Sequence, residues 1–386
     1  MPARRTLTFN ESVIRGMTRL AREHDAINLA QGFPNFPTPE LIKQAAASAI
    51  AGDINQYAIT WGSKRLRDAL TRRYAEWYGM TIDPEREITV TCGATEAMAA
   101  TVLGLINPGD EVIVPEPFYE NYGPDAILCD ARPVFVPFLP GEPLDLDRVA
   151  AAFSPRTRAI IVNTPANPTG RVLTRTELEG IAALCIRHDA YAITDEIYEH
   201  IRYDGDHIPI ATIPGMRDRT ITISGASKTF SVTGWRVGWI IAPPGPTDAI
   251  RKVHDFLTVG SPAPLQDAIA AALETCDAAF YRGLATDYRA RRDLLCASLS
   301  AAGFKITPPE GAYYVLSDFS GLSDQDDVTF SHWLTREIGV APVPGSSFYS
   351  ERGMGRKFVR FAFCKTDDML IAAGERLQGV KTAIVS

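Results

Sequence analysis

The chain is poor in the features that mark several large protein classes. Its six cysteines (Cys92, Cys129, Cys185, Cys276, Cys296 and Cys364) stand singly, with no CxxC spacing. That pattern excludes a disulfide framework and zinc-ligand spacing, so no metal is expected and a reducing, cytoplasmic setting is favoured. No apolar run is long enough to cross a bilayer, and Met1-Pro2-Ala3-Arg4-Arg5 leads into polar residues rather than an apolar signal core. Neither membrane nor export is expected. Positive charge is not in excess either: 39 Lys and Arg face 46 Asp and Glu, a net charge of −7. A broad basic face for nucleic acid is therefore excluded. The GxGxxG fingerprint of nicotinamide-binding folds is missing after the first strand-like run. Internal repeats and low-complexity linkers are absent too.

What is present is ordinary globular material, 46% hydrophobic and 22% charged over 386 residues, enough for a large core. Short β-rich runs alternate with helical segments: Glu87-Cys92, Glu111-Pro115, Arg132-Pro137, Arg158-Asn163, Tyr191-Thr194, Thr220-Ile223 and Val237-Ala242. Several are near-continuous apolar strands, which predicts a mostly parallel seven-stranded sheet between helices, an α/β architecture. The remainder predicts a smaller α+β unit. It holds a long helix over about Pro264–Ala302, strand Ala312-Ser317, helix Val328-Glu337, strand Phe358-Phe363 and helix Asp367-Gly379. The expected organisation is an N-terminal segment (1–45, with a helix over Val13–Ala21) joining the small domain, a large domain (46–285) and a C-terminal small domain (286–386).

The run Ser224-Gly225-Ala226-Ser227-Lys228-Thr229-Phe230-Ser231-Val232-Thr233-Gly234-Trp235-Arg236-Val237-Gly238 is the most informative. A strand ends in small residues, and a lone lysine follows in weakly charged surroundings. Low local charge and partial burial favour the neutral amine, the form that attacks a carbonyl. Arg236, eight residues on between two glycines, suits a phosphate. An aldehyde for the lysine and a phosphate for the arginine together fit pyridoxal 5′-phosphate. Other polar groups also sit just past predicted strand ends, where ligands bind in open α/β sheets. Gly93-Ala94-Thr95 opens a helix and offers free N–H groups for a phosphate, although Gly and Thr also serve as plain turn and cap residues. Asn167 leaves a proline-stiffened exit, Asn163 to Gly170, and can reach the ring's phenolic oxygen. Asp195 can hold the pyridine nitrogen protonated, with Tyr198 one helical turn on. Tyr119 is a stacking candidate. Arg360 interrupts the apolar strand Phe358-Phe363 and needs an anionic partner, either a substrate carboxylate or a structural carboxylate.

This set resembles the class I aminotransferases of pyridoxal-phosphate fold type I over nearly the whole chain, and Gly225 to Gly238 has the form of that family's lysine signature throughout. The resemblance implies a Schiff base on Lys228, phosphate contacts from Arg236, Gly93, Ala94 and Thr95, and Asp195 on the ring nitrogen. It also implies Asn167 and Tyr198 on the ring hydroxyl, Tyr119 stacked on the ring, and Arg360 on the substrate carboxylate. Gly32, in Gln31-Gly32-Phe33-Pro34, resembles the glycine whose backbone approaches that carboxylate. Tyr57 resembles the tyrosine that reaches the partner subunit's phosphate, which makes a homodimer with shared sites the expected assembly.

Two departures bear on detail. Gly225 stands where many relatives carry a phosphate-binding serine, leaving Ser224 or Ser227 to substitute. Ala94, Thr95 and Glu96 occupy the stretch where an aspartate-specific branch carries a lysine, which disfavours strict aspartate specificity. The loops look closest to the kynurenine/glutamine/methionine branch, although Val259-Gly260-Ser261-Pro262 lacks that branch's aromatic and histidine. The expected activity is ping-pong transamination from a neutral, apolar or aromatic L-amino acid to a 2-oxo acid. Aspartate or N-succinyl-diaminopimelate stands as the alternative substrate, and a carbon–sulfur β-lyase of the same fold as the alternative reaction. A transcription regulator built on this fold is remote, because only a few dozen residues precede the family-like region and no basic helix-turn-helix pattern appears.

Overall fold

The computed structural model describes residues 3–381 except 10 and 352. Residues 1–2 and 382–386, which the expected N- and C-terminal segments include, lie outside that description. The strands in chain order are β1 (Ile27–Asn28), β2 (Ile88–Thr91), β3 (Glu111–Glu116), β4 (Arg132–Pro137), β5 (Thr157–Asn163), β6 (Tyr191–Asp195), β7 (Thr220–Gly225) and β8 (Gly238–Ile241). They continue with β9 (Lys305–Ile306), β10 (Tyr314–Asp318), β11 (Val340–Ala341), β12 (Val343–Pro344) and β13 (Phe358–Ala362).

All seven expected runs form one seven-stranded sheet in the order β2-β8-β7-β6-β5-β3-β4. Neighbours from β7 through β4 pair in parallel, while β8 runs antiparallel to both β7 and β2. The continuous apolar character of β5 has a direct cause. Ala159 and Ile161 point into one core with Val112, Val114, Ile193 and helix Gly93–Leu105, and Ile160 and Val162 into another with Ile113, Ala192 and helix Arg175–His188. Both faces are buried, so no position can be polar without cost. Each fully buried Ile or Val contributes about 1.5–3 kcal/mol.

The second unit is a four-stranded antiparallel sheet, β12-β13-β10-β9. The N-terminal segment joins it: β1 pairs in parallel with β11, and Ile14 and Met17 of helix Val13–Glu23 pack with Val343 and Phe348. The long C-terminal helix is two helices, Ala263–Thr275 and Ala278–Ala302, and not one. The break falls at Asp277, whose carboxylate accepts from the backbone N–H groups of Ala279 and Phe280 and so starts a new helix. Among the described residues, no helix is long and apolar enough to cross a membrane, and no group of His, Cys, Asp and Glu is placed to hold a metal ion.

Candidate active site

Lys228 lies in the short helix Ala226–Thr229 directly after β7, half-buried. Its Nζ donates to the carbonyl of Gly32 at 3.2 Å and lies 5.9 and 5.7 Å from the ring centres of Tyr198 and Tyr313. Burial lowers its amine to about 8; Cys364 and Asp195 pull the other way, and Arg236 and Arg360 add to the fall. Burial is thus the leading cause, and charges of both signs stand around the amine in place of the weakly charged surroundings expected from sequence.

Asp195 closes β6 and is buried. Burial raises its carboxyl, while the Tyr122 hydroxyl at 2.7 Å, the Ile197 N–H at 3.2 Å and the Lys228 charge hold it down. Tyr122 was not singled out from sequence, since a contact spanning 73 residues leaves no local trace. Tyr119 stands edge-on to Tyr122, ring centres 5.8 Å apart.

The anion-seeking groups come together in two places. At the first, helix Gly93–Leu105 begins with no side-chain cap, unlike helix Arg175–His188, which Thr174 and Glu177 close with a capping box. Its first N–H groups are thus left for a ligand. Arg236 reaches the same place in a left-handed conformation, φ 54°, donating to the carbonyls of Thr233 at 2.9 Å and Cys92 at 3.3 Å. No carboxylate pairs with it among the described residues. Gly93 has φ 80°, and a Cβ there would overlap the Arg236 guanidinium, so only glycine leaves this pocket open.

At the second place, Arg360 of β13 is fully buried. Its Nη1 donates to Asn167 Oδ1 at 2.7 Å and its Nη2 to the Ala30 carbonyl at 2.6 Å, and its Nε has no partner. The guanidinium lies 4.2 Å from the Tyr314 ring centre and 5.0 Å from that of Phe348. The structural carboxylate considered from sequence is not there among the described residues. Asn167 gives its side-chain oxygen to Arg360, so its amide nitrogen remains as the donor. The Tyr198 hydroxyl lies 3.0 Å from that of Tyr314.

One expected contact lies elsewhere, and another, expected across a dimer, is not formed within one chain. The Ser224 hydroxyl, expected at the phosphate, donates instead to Glu199 at 2.5 Å, within a buried set where the Tyr78 hydroxyl also donates to Glu199 at 2.6 Å. Alternation along β7 turns Ser224 toward that carboxylate, and Ser227 is the remaining serine beside the lysine. Tyr57 joins none of these groups within one chain: it is 86% exposed, with Phe256 at 92% also exposed.

Further residues unnoticed in sequence complete the wall. The Tyr313 hydroxyl donates to the Gly32 carbonyl at 2.9 Å. Lys365, buried, donates to the carbonyls of Gln31 at 3.1 Å and Phe33 at 2.9 Å. Only the doubled tyrosine at the start of an apolar run hinted at this. An uncapped helix start beside an unpaired arginine, a lysine lowered to about 8 and a buried carboxylate together fit pyridoxal phosphate.

Comparison with known proteins agrees. A family model described as aminotransferase class I and II matches residues 24–377. A probable N-succinyldiaminopimelate aminotransferase of Mycobacterium tuberculosis is 42% identical over 389 residues, covering 98% of each chain. Methionine aminotransferase of Escherichia coli is 37% identical over 382 residues, again 98% of each. The solved structure of N-succinyldiaminopimelate aminotransferase from M. tuberculosis superposes with a TM-score of 0.96 at 41% identity, covering 98% of this chain and 100% of that one.

Proposed function

The chain belongs to the class I and II aminotransferases and is a pyridoxal-phosphate-dependent enzyme; within that family we propose that it moves the amino group of a neutral L-amino acid, apolar or aromatic in its side chain, to a 2-oxo acid in a ping-pong cycle. When bound, the cofactor supplies a carbonyl carbon for the substrate amine and an electron-withdrawing ring that makes the α-proton acidic.

The chain's own residues do the rest. An amine lowered to about 8 is roughly one-tenth uncharged at pH 7, against less than one part in a thousand for an ordinary lysine. Lys228 is therefore suited to take the substrate's α-proton and to return it on the far side of the substrate nitrogen. Asp195, whose carboxyl burial raises while Tyr122 and the Ile197 N–H oppose that rise, would face the ring nitrogen and keep its proton there. Arg236 with the Gly93, Ala94 and Thr95 stretch would hold the phosphate, Asn167 and Tyr198 would donate to the ring oxygen, and Tyr119 would stack on the ring. Arg360 takes the substrate carboxylate, with the Gly32 loop beside it.

The observation that carries the substrate class is the wall around Arg360. Rings of Tyr314 and Phe348 flank it, and the nearby cation Lys365 is committed to backbone carbonyls. That lining supports an uncharged side chain. A second reading, N-succinyl-diaminopimelate, draws on the 42%-identical relative of that name. We further take the working form to be a cytoplasmic homodimer, in which a second copy covers Tyr57 and Phe256 and brings Tyr57 to its partner's phosphate. The site then lies between the 46–285 unit and the smaller unit.

The test is a half-reaction screen in which each amino acid, and N-succinyl-LL-diaminopimelate, is mixed with the cofactor-loaded enzyme and the visible band followed. Conversion by methionine, phenylalanine or kynurenine within the first turnover is expected. Conversion by the succinylated compound alone would move the assignment to the second reading. Borohydride reduction and peptide mapping should find the cofactor on Lys228, and label on another lysine overturns the site.

A further inference from the structure

We propose that Tyr314 is a positioning residue of this site, setting the proton supply of Tyr198 through its hydroxyl and the orientation of Arg360 through its ring. The inference rests on the cofactor site proposed above and goes beyond it.

Tyr314 opens β10 and is buried. The sheet register pairs Leu316 with Arg360 and Tyr314 with Ala362. Tyr314 and Arg360 are therefore diagonal neighbours on one face, close enough for long side chains to meet. They do meet, with the guanidinium 4.2 Å from the ring centre. A flat cation over an aromatic face is attracted to it and held parallel to it. With Nη1 and Nη2 fixed by Asn167 and Ala30, the ring sets the remaining tilt of the fork.

The hydroxyl does separate work. It lies 3.0 Å from the Tyr198 hydroxyl, with the Tyr313 hydroxyl, itself donating to the Gly32 carbonyl, as a further neighbour. Each phenol carries one proton. If Tyr198 gives its proton to the ring oxygen, its own oxygen is left to accept, and Tyr314 must donate to it. The order Tyr314 to Tyr198 to ring oxygen follows, and such a chain strengthens each member. A Cβ on Gly32 would overlap the Tyr314 hydroxyl, so a tyrosine at 314 requires glycine at 32.

The two roles separate experimentally. Tyr314→Phe keeps the ring and deletes the proton, whereas Tyr314→Leu deletes both. A donor to the ring oxygen favours the form of the bound chromophore that has lost its proton. Weakening that donor therefore raises the pH midpoint of the visible band. For Tyr314→Phe the expected shift is upward by about 0.3–0.5 unit, a fraction of one charged hydrogen bond, with KM values within about twofold of the parent. Tyr314→Leu is expected to raise KM for amino and 2-oxo acids alike by about tenfold, on the scale of a desolvated cation–π contact. In a Tyr198→Phe background, Tyr314→Phe should add no further shift, since its acceptor is gone.

An unchanged midpoint in Tyr314→Phe, or a shift that adds to that of Tyr198→Phe, overturns the relay. An unchanged KM in Tyr314→Leu, with cofactor affinity and melting temperature retained, overturns the Arg360 role. Should Tyr314→Leu not fold, Tyr314→Met replaces it. Borohydride labelling at Lys228 in the parent decides the underlying site separately, so the two failures are distinguishable.

Discussion

Replacing Arg360 by leucine tests the substrate assignment most sharply, because the structure predicts a large effect on catalysis and a small one on folding. The guanidinium is fully buried, has one unpartnered nitrogen and faces no carboxylate among the described residues. A substrate carboxylate would accept two charge-assisted hydrogen bonds from it, each contributing about 1.5–3 kcal/mol. The loss in kcat/KM for Arg360→Leu is then about 3–6 kcal/mol, or roughly 10²- to 10⁴-fold. Folding should respond weakly. Leucine leaves Asn167 Oδ1 and the Ala30 carbonyl without their donor, about 1–3 kcal/mol each, but it also removes a buried cation lacking a counter-charge. The two terms oppose, and a net change within about 2 kcal/mol is expected. The assay compares an amino acid with its decarboxylated amine. The parent enzyme should prefer the amino acid by the same factor that the substitution costs, and the variant should treat both nearly alike. A variant that keeps a tenfold or larger preference for the amino acid would falsify the anchor, since the carboxylate must then be held elsewhere.

Three further outcomes follow from the geometry. Burial raises the Asp195 carboxyl and Tyr122 opposes that rise, so Tyr122→Phe should move the acid limb of the kcat profile upward by about one pH unit. Asp195 must be ionised to serve, so cofactor affinity in that variant should fall more at pH 6 than at pH 8; a profile unmoved by the change refutes the coupling. Ser224→Ala should leave cofactor affinity within about twofold while lowering stability by roughly 1–3 kcal/mol, because Glu199 loses a buried donor; weakened binding without destabilisation would return Ser224 to the phosphate. Sedimentation should find a dimer, and Phe256→Glu, at a position 92% exposed in one chain, should yield monomers with weakened cofactor affinity. A monomeric parent at micromolar concentration would remove the case for shared sites.

The sheet was readable from sequence because two-sided burial makes its strands continuous apolar runs, and Arg132–Pro137 coincides with its observed limits. The reversed direction of β8 was not readable, since a strand's polarity in a sheet depends on the connection and not on its side chains. The break at Asp277 was hidden because capping residues and ordinary helix residues look alike within an alanine-rich stretch. Strand-end placement is the signal that brought Lys228, Asp195 and Asn167 forward. Ser224 went astray for a one-residue reason: in a pleated strand the neighbour of a site residue faces the opposite side. Tyr122 and Tyr314 were missed because each acts through a hydroxyl aimed at a residue 73 or 116 positions away, and no local pattern records that.

The carbonyl of Gly32 receives two donors, Lys228 Nζ and the Tyr313 hydroxyl. An acceptor with two occupants can release one without being stranded. When the amine turns from the loop toward a bound carbonyl group, the phenol stays behind and the backbone there keeps its tether. In the role proposed for it, the same amine would thus come and go while Tyr313 keeps the Gly32 backbone tethered as its reference point.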